Sequence, residues 1–91
     1  MFLSEEAKSD LIRIHQYGVH TFGEAQADQD YFGFFERFEK IAKNPYQYPE
    51  ANERQAYRKS IYGVDSIYYQ VEVNTTIIVR ILGRQDIDEN L

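Results

Sequence analysis

The segment YFGFFERFEKIA, residues 31–42, decides the fold of this 91-residue chain. Its apolar side chains recur at steps of three and four residues, which predicts an amphipathic helix. The apolar stripe consists of Tyr31, Phe34, Phe35, Phe38, Ile41 and Ala42. Asn44-Pro45 predicts the end of this helix, because the residue before a proline is disfavoured in the helical conformation. A helix with such an aromatic face needs an apolar surface to cover it.

A second helix is predicted before this segment, from Glu5 to about Phe22. Ser4 is placed as its N-cap, and acidic residues in the first turn favour the positive end of the helix dipole. Gly23 is a plausible break between the two helices. The stripe on this helix consists of Ala7, Leu11, Ile14, Gly18 and Thr21.

After Pro45 and Pro49 the apolar period changes from helical steps to two, which indicates strands. Two antiparallel strands joined near Asn74-Thr75 are predicted from the alternating residues Ile67, Tyr69, Val71, Val73, Ile77, Val79 and Ile81. A further strand is predicted over 56–62, and 2–3 could add an edge strand. The predicted fold is α+β, a helical hairpin packed on a small antiparallel sheet in the order β-α-α-β-β-β.

The composition is that of one globular domain spanning residues 1–91, with 43% hydrophobic and 15% aromatic residues. The absence of cysteine excludes disulfides, thiolate catalysis and Cys-ligated zinc. The two histidines, His15 and His20, are five residues apart and share a helical face poorly, so neither a metal site nor a cofactor is predicted. With no signal-like or membrane-spanning apolar run, we expect a cytoplasmic protein and no membrane partner.

The charge is unevenly distributed along the chain. The net charge is −5 overall, which is the wrong sign for holding nucleic acid by phosphate neutralisation alone, so no direct nucleic-acid binding is expected. Residues 1–53 carry 5 basic and 10 acidic side chains, whereas residues 54–84 carry 5 and 2. The basic residues of the second part are Arg54, Arg58, Lys59, Arg80 and Arg84.

Six short motifs, in their order and spacing, resemble the RelE/ParE toxin superfamily over residues 2–86 and favour its ParE branch. They are Leu3-Ser4-Glu5-Glu6-Ala7 with Asp10-Leu11, Phe22-Gly23-Glu24-Ala25-Gln26-Ala27, Ala42-Lys43-Asn44-Pro45, Tyr57-Arg58, Ile67-Tyr68-Tyr69-Gln70-Val71 and Val79-Arg80-Ile81-Leu82-Gly83-Arg84-Gln85-Asp86. Two departures stand out. Phe22 stands where many ParE-like chains carry a tryptophan before the hairpin glycine, and it is expected to keep an aromatic plug. Many such chains also read Ile-Leu-His with an extra residue before the arginine, whereas here Gly83 leads directly to Arg84.

The resemblance implies the toxin of a type II toxin–antitoxin system, which inhibits DNA gyrase by protein–protein contact and performs no chemistry. It also implies a cognate ParD-like antitoxin that forms a hetero-oligomer with the toxin. One alternative is a RelE-like, ribosome-dependent mRNA endonuclease, but the tail 85–91 offers no Tyr or His for proton transfer. The other is a degenerate, non-toxic binding partner.

Toxicity is assigned to the basic C-terminal part of the chain. The residues expected to contact the target are Arg58, Arg80, Arg84 and Asp86. Arg84 is the preferred residue, because it lies outside any clear core stripe. Arg58 and Arg80 have an equal structural interpretation as half-buried arginines paired with acids such as Asp65 or Asp86. The strand tyrosines are expected to pack at the core margin with their hydroxyls in water.

Antitoxin binding is assigned to the helical hairpin, because three apolar residues lie off its predicted core stripes. The assigned residues are Ile12, His15, Val19 and Phe32. The alternative for the apolar residues is a broad buried face against the sheet. This patch would accept an amphipathic helix, and an exposed sheet edge would accept a strand. The acidic hairpin favours a partner with basic residues around its apolar anchors.

Overall fold

The computed structural model describes residues 1–83. In this part of the chain the elements are β1 Phe2–Leu3, α1 Glu5–Phe22, α2 Glu24–Lys43, β2 Arg58–Tyr62, β3 Asp65–Glu72 and β4 Thr75–Gly83. A short 3-10 turn, Pro45–Gln47, follows α2. The predicted fold class and element order are confirmed.

Ser4 and Gly23 mark where the two helices of the hairpin begin and end. The Ser4 hydroxyl accepts a hydrogen bond from the Ala7 amide at 3.0 Å, which confirms the predicted N-cap of α1. Gly23 ends α1 and precedes α2 with a φ of 94°, a conformation that side chains disfavour. A Cβ atom at Gly18 would lie 3.2 Å from the Ala27 Cβ, so small residues let the two helices approach closely.

The sheet has the strand order β1-β4-β3-β2. β2 pairs with β3 and β3 with β4 in antiparallel register, but β1 pairs with β4 in parallel, with Phe2 opposite Ile77. The sheet is therefore mixed, whereas an antiparallel sheet was predicted. Parallel neighbours need a long crossover connection, and the helices between β1 and β4 are part of it.

The main core lies between the hairpin and one face of the sheet. Phe34, Phe38 and Ile41 of α2 are buried there, whereas Ala42, at the end of the predicted stripe, is exposed. Their partners from α1 and the strands are Ala7, Leu11, Ile67, Tyr69, Ile78 and Ile81. Phe22 is exposed, so the expected aromatic plug at the end of α1 is wrong.

The predicted alternation is wrong in β4. The residues of β4 buried in the main core are Ile78 and Ile81, whereas Ile77 and Val79 are only half-buried. The pairing with β3 is irregular at this point, because Tyr68 pairs with Arg80 but Tyr69 pairs with Ile78. Val79 is thus the extra residue of a β-bulge, and one extra residue moves every following side chain to the other face.

Replacing Gly33 with alanine is expected to destabilise the fold by about 1–3 kcal/mol, as overpacking does. A Cβ atom there would collide with the Tyr62 hydroxyl, and the Tyr62 ring is held by Phe34, 4.5 Å away, and by the guanidinium of Arg37. At an open helical position the same change would stabilise by about 1 kcal/mol. Urea unfolding measures the difference.

The control for this prediction is Gln29→Ala at an exposed position of the same helix, which should change stability by less than about 0.5 kcal/mol. A Gly33→Ala variant more stable than the wild type would show that Tyr62 moves aside freely.

Candidate functional site

A groove of about 440 Å³ crosses the outer surface of the helical hairpin. Its lining residues are Ile12, His15, Gln16, Asp28, Tyr31 and Phe32. Ile12 is 57% exposed and Phe32 is 65% exposed, so these apolar side chains do not belong to the core. The broad buried face considered for the off-stripe residues is therefore excluded for Ile12 and Phe32.

The structure places three of the four residues predicted to bind the antitoxin in this groove, namely Ile12, His15 and Phe32. Val19 is 37% exposed but is not a lining residue. Asp28 and Tyr31 also line the groove, and sequence reasoning assigned neither of them to it. Asp28 lies 13 residues from His15 along the chain, so no local pattern connects the two.

Polar contacts order the floor of the groove. The His15 Nε2 atom lies 2.7 Å from the Asp28 Oδ1 atom, within hydrogen-bond distance. The Tyr31 ring meets the His15 ring edge-on, with centroids 5.5 Å apart. The imidazole thus contacts both a carboxylate and an aromatic ring, and its contact orients the Asp28 carboxylate before any partner binds.

Arg80, one of the predicted toxicity residues, forms a bidentate ion pair with Asp10. Its Nε and Nη2 atoms donate to the two Asp10 carboxylate oxygens at 2.9 and 3.2 Å. The Asp10 carboxylate also accepts from the Ile81 amide at 2.9 Å. This geometry gives Arg80 a structural role, with Asp10 on α1 as a carboxylate partner that sequence reasoning did not assign.

Asp10 carried a detectable signal in the sequence. It lies three residues after Ala7 and directly before Leu11, within the buried stripe of α1, and only 5% of its surface is exposed. An ionised side chain on an apolar stripe is costly to bury without a partner, so its position alone points to an ion pair. The partner, 70 residues away along the chain, could not be read from the pattern.

Arg58 is also engaged in contacts within the fold. Its Nη1 atom donates to the Tyr48 carbonyl at 2.6 Å, and its guanidinium lies 4.9 Å from the centroid of the Tyr46 ring. In the strand register Arg58 pairs with Tyr69, whereas Arg80 pairs with Tyr68. Consecutive residues of β3 face opposite sides of the sheet, so the two arginines leave their strands on opposite faces.

The other two residues assigned to toxicity, Arg84 and Asp86, lie outside the described residues 1–83. Their role stays a prediction.

Other parts of the fold bond backbone groups of β4 beyond its short pairing with β1, and backbone groups of the edge strand β2. On β4, the Ser4 hydroxyl donates to the Val79 carbonyl at 2.6 Å, and the Ile81 carbonyl accepts from Arg13 at 3.3 Å. On β2, Arg37 donates to the Ile61 carbonyl at 2.7 Å, and the Lys59 amide donates to the Pro49 carbonyl at 3.0 Å. These bonds occupy positions that an added strand would use.

A second buried cluster lies on the sheet face opposite the helices. Tyr68 packs there with Ala51 and Leu82, and its hydroxyl donates to Glu53 at 2.8 Å. Lys59 forms an ion pair with the same carboxylate at 2.7 Å. Hydrogen bonds from Lys59 and Tyr68 lower the pKa of Glu53, and burial together with Glu53 raises the pKa of Tyr68 well above its usual range.

Tyr69 is fully buried on the helix side, where its hydroxyl donates to the Pro45 carbonyl. Burial raises the pKa of Tyr69 to about 12. The expectation that the strand tyrosines keep their hydroxyls in water is therefore wrong for Tyr68 and Tyr69. The cause is the segment between α2 and β2, which supplies an acceptor to each hydroxyl.

The pKa of Tyr69 predicts a loss of stability at alkaline pH. An unfolded tyrosine titrates near pH 10. Since the folded pKa is raised, the stabilisation is complete below about pH 10 and is lost as the pH rises through the folded pKa near 12. Urea unfolding between about pH 8 and 11 should therefore show a shallower decline for Tyr69→Phe than for the wild type.

The matched control for this pH dependence is Tyr46→Phe, because the ring of Tyr46 is exposed. This variant should keep the wild-type slope. Equal slopes for Tyr69→Phe and the wild type would contradict the prediction.

Among the described residues, no group of three or more His, Asp or Glu side chains is arranged to hold a metal ion. No helix within residues 1–83 combines the length and apolar character needed to cross a membrane.

The fold has a solved counterpart, described as "Chromosomal ParDE TA system from P. aeruginosa". The two chains superpose with a TM-score of 0.82 over 90% of this chain and 91% of that one, at 19% sequence identity. The two chains therefore share one fold. No curated protein matches this sequence.

A family model described as "ParE toxin of type II toxin-antitoxin system, parDE" matches residues 1–88. The chain belongs to this ParE toxin family. The resemblance inferred from the six sequence motifs is confirmed.

Proposed function

We propose that this ParE-family toxin inhibits DNA gyrase by protein–protein contact and is neutralised by a cognate ParD-like antitoxin. The observation that carries the proposal is the match of the family model over residues 1–88, nearly the whole chain. DNA gyrase acts on the bacterial chromosome, so the proposed site of action is the cytoplasm.

The state of the basic residues supports contact rather than chemistry. An endonuclease needs cations that converge on one phosphate. Arg58, Lys59 and Arg80 each donate to an acceptor within the fold, at 2.6 to 2.9 Å. These three cations are engaged in holding the fold together, which favours a non-enzymatic toxin.

Two assays on the purified toxin test the target. Inhibition of gyrase supercoiling together with intact ribosome-bound mRNA is the expected result. Codon-specific cleavage of mRNA in the ribosomal A site, with normal supercoiling, would replace the proposal with the endonuclease alternative. Inactivity in both assays, with antitoxin binding retained, would favour the non-toxic binding partner.

Arg84→Ala is expected to reduce growth arrest strongly while antitoxin affinity stays nearly unchanged. The reason is that Arg84 follows β4 directly in sequence and lies outside the core stripes, whereas Arg80 is bonded to Asp10. The measurement is growth after induction at equal expression, with Arg54→Ala as the matched loss of one arginine. Full toxicity of Arg84→Ala would remove this residue from the site.

Neutralisation is assigned to the hairpin groove. The groove presents the exposed apolar side chains of Ile12 and Phe32 beside the oriented carboxylate of Asp28. An amphipathic helix suits this surface, because its apolar residues recur at helical spacing and can contact both side chains. The alternative of an added strand is less well supported, because side chains and the Pro49 carbonyl occupy backbone groups of β2 and β4. The toxin and its antitoxin then form the proposed hetero-oligomer.

A further inference from the structure

We propose that Asp28 is the anchoring carboxylate of the hairpin groove, and that it receives a lysine or arginine from an amphipathic helix of the partner. This inference rests on the proposed neutralisation by an antitoxin. It adds the chemistry of the occupant, a basic side chain directly beside apolar anchors.

The geometry makes Asp28 suitable for a second ligand. Its Oδ1 atom is held by His15 at 2.7 Å, while 49% of its side-chain surface remains exposed. An ionised carboxylate offers about four acceptor sites, so the contact with His15 leaves capacity for a further donor. Because the carboxylate is already oriented, an incoming cation orders fewer groups on binding.

The charge around the groove selects for a cation. Residues 14–36, which form the hairpin tip, contain no Lys or Arg but contain the acids Glu24, Asp28, Asp30 and Glu36. Asp30 accepts a hydrogen bond from Gln26 at 3.0 Å, and Asp28 is the acid that lines the groove. A cationic partner is therefore attracted to the tip and meets no lysine or arginine of the toxin there.

The apolar walls set the position of the cation in the partner. Ile12 on α1 and Phe32 on α2 line the same groove as Asp28. A helix whose apolar residues contact these two walls places a residue three or four positions away on the same face. The partner is thus expected to carry a basic residue at that spacing from its apolar anchors.

The test is calorimetric titration of the full-length antitoxin encoded beside the toxin gene. Asp28→Lys should weaken binding at least about tenfold, as loss of a close charge pair does. Glu39→Lys, an equal charge change at an exposed site on α2 outside the groove lining, should stay within about twofold. Reversing each basic residue of the antitoxin in turn should reveal one whose change to Glu restores affinity for Asp28→Lys.

The outcomes separate this inference from the proposed function. If the wild type does not bind the antitoxin, the proposed neutralisation fails. If the wild type binds but Asp28→Lys and Glu39→Lys lose equal affinity, or no charge swap restores binding, the anchoring role is overturned while neutralisation stands. Should Asp28→Lys fail to fold, Asp28→Asn is compared with Glu39→Gln, and an equal loss of affinity in both would overturn the anchoring role. Phe32→Asp reports independently whether the groove is occupied.

Discussion

Replacing Phe38 with alanine is expected to lower the free energy of unfolding by about 3–5 kcal/mol. Phe38 is completely buried between α2 and the sheet. Its ring lies 5.3 Å from that of Phe35 and 6.3 Å from that of Phe34, measured between centroids. Truncation removes these contacts and leaves a cavity that the packed neighbours fill only partly.

A domain of this size is stable by only about 5–14 kcal/mol, so Phe38→Ala takes a large share of the total. Urea unfolding with a circular dichroism readout measures the change. The control is Phe32→Ala, which removes the same ring from an exposed site of the same helix and should cost less than about 0.5 kcal/mol. Similar losses for both variants would contradict the assignment of Phe38 to the core and Phe32 to the groove.

Replacing Asp10 with alanine is expected to cost about 3 kcal/mol, near the lower end for breaking a buried ion pair. The change removes the bidentate partner of Arg80 and the acceptor of the Ile81 amide, and both groups lie on β4. The loss stays at the lower end because 25% of the Arg80 side chain is exposed and water can partly replace the carboxylate.

Glu5→Ala is the matched control, because Glu5 forms an exposed ion pair with Lys8 on the same helix. Such pairs contribute less than about 1 kcal/mol. A double-mutant cycle with Arg80→Ala should show that the losses at Asp10 and Arg80 are not additive. Independent, additive losses would show that the two side chains do not stabilise each other.

This ion pair bears on every toxicity experiment with Arg80. Arg80→Ala is expected to destabilise the fold and so to lower the amount of folded toxin in the cell. Reduced growth arrest in this variant would therefore have two causes, the lower amount of toxin and any lost contact with the target. Toxicity of Arg80 variants should therefore be compared with that of Asp10→Ala, which breaks the same pair from the other side. Equal reductions would assign Arg80 to the fold.

The exposure of the groove residues was partly readable from the sequence. Ile12 and Phe32 lie off the apolar stripes of their helices, and both are exposed. The periodicity of one helix reports which of its residues avoid the core, because side chains three and four residues apart share a face. It does not report which residues of two helices meet, so the pair between His15 and Asp28 could not be predicted.

The sequence by itself determined the two helices and the order of the elements along the chain, and its six motifs indicated the family by resemblance. The helices and strands follow from local periods, the Ser4 cap, the Gly23 break and the prolines, all of which act within a few residues. Only the tertiary structure decided the parallel pairing of β1, the bulge at Val79 and the ion pair between Asp10 and Arg80. These features depend on contacts between residues about 70 or more positions apart in the chain, or on strand register, and local patterns carry no information about such contacts.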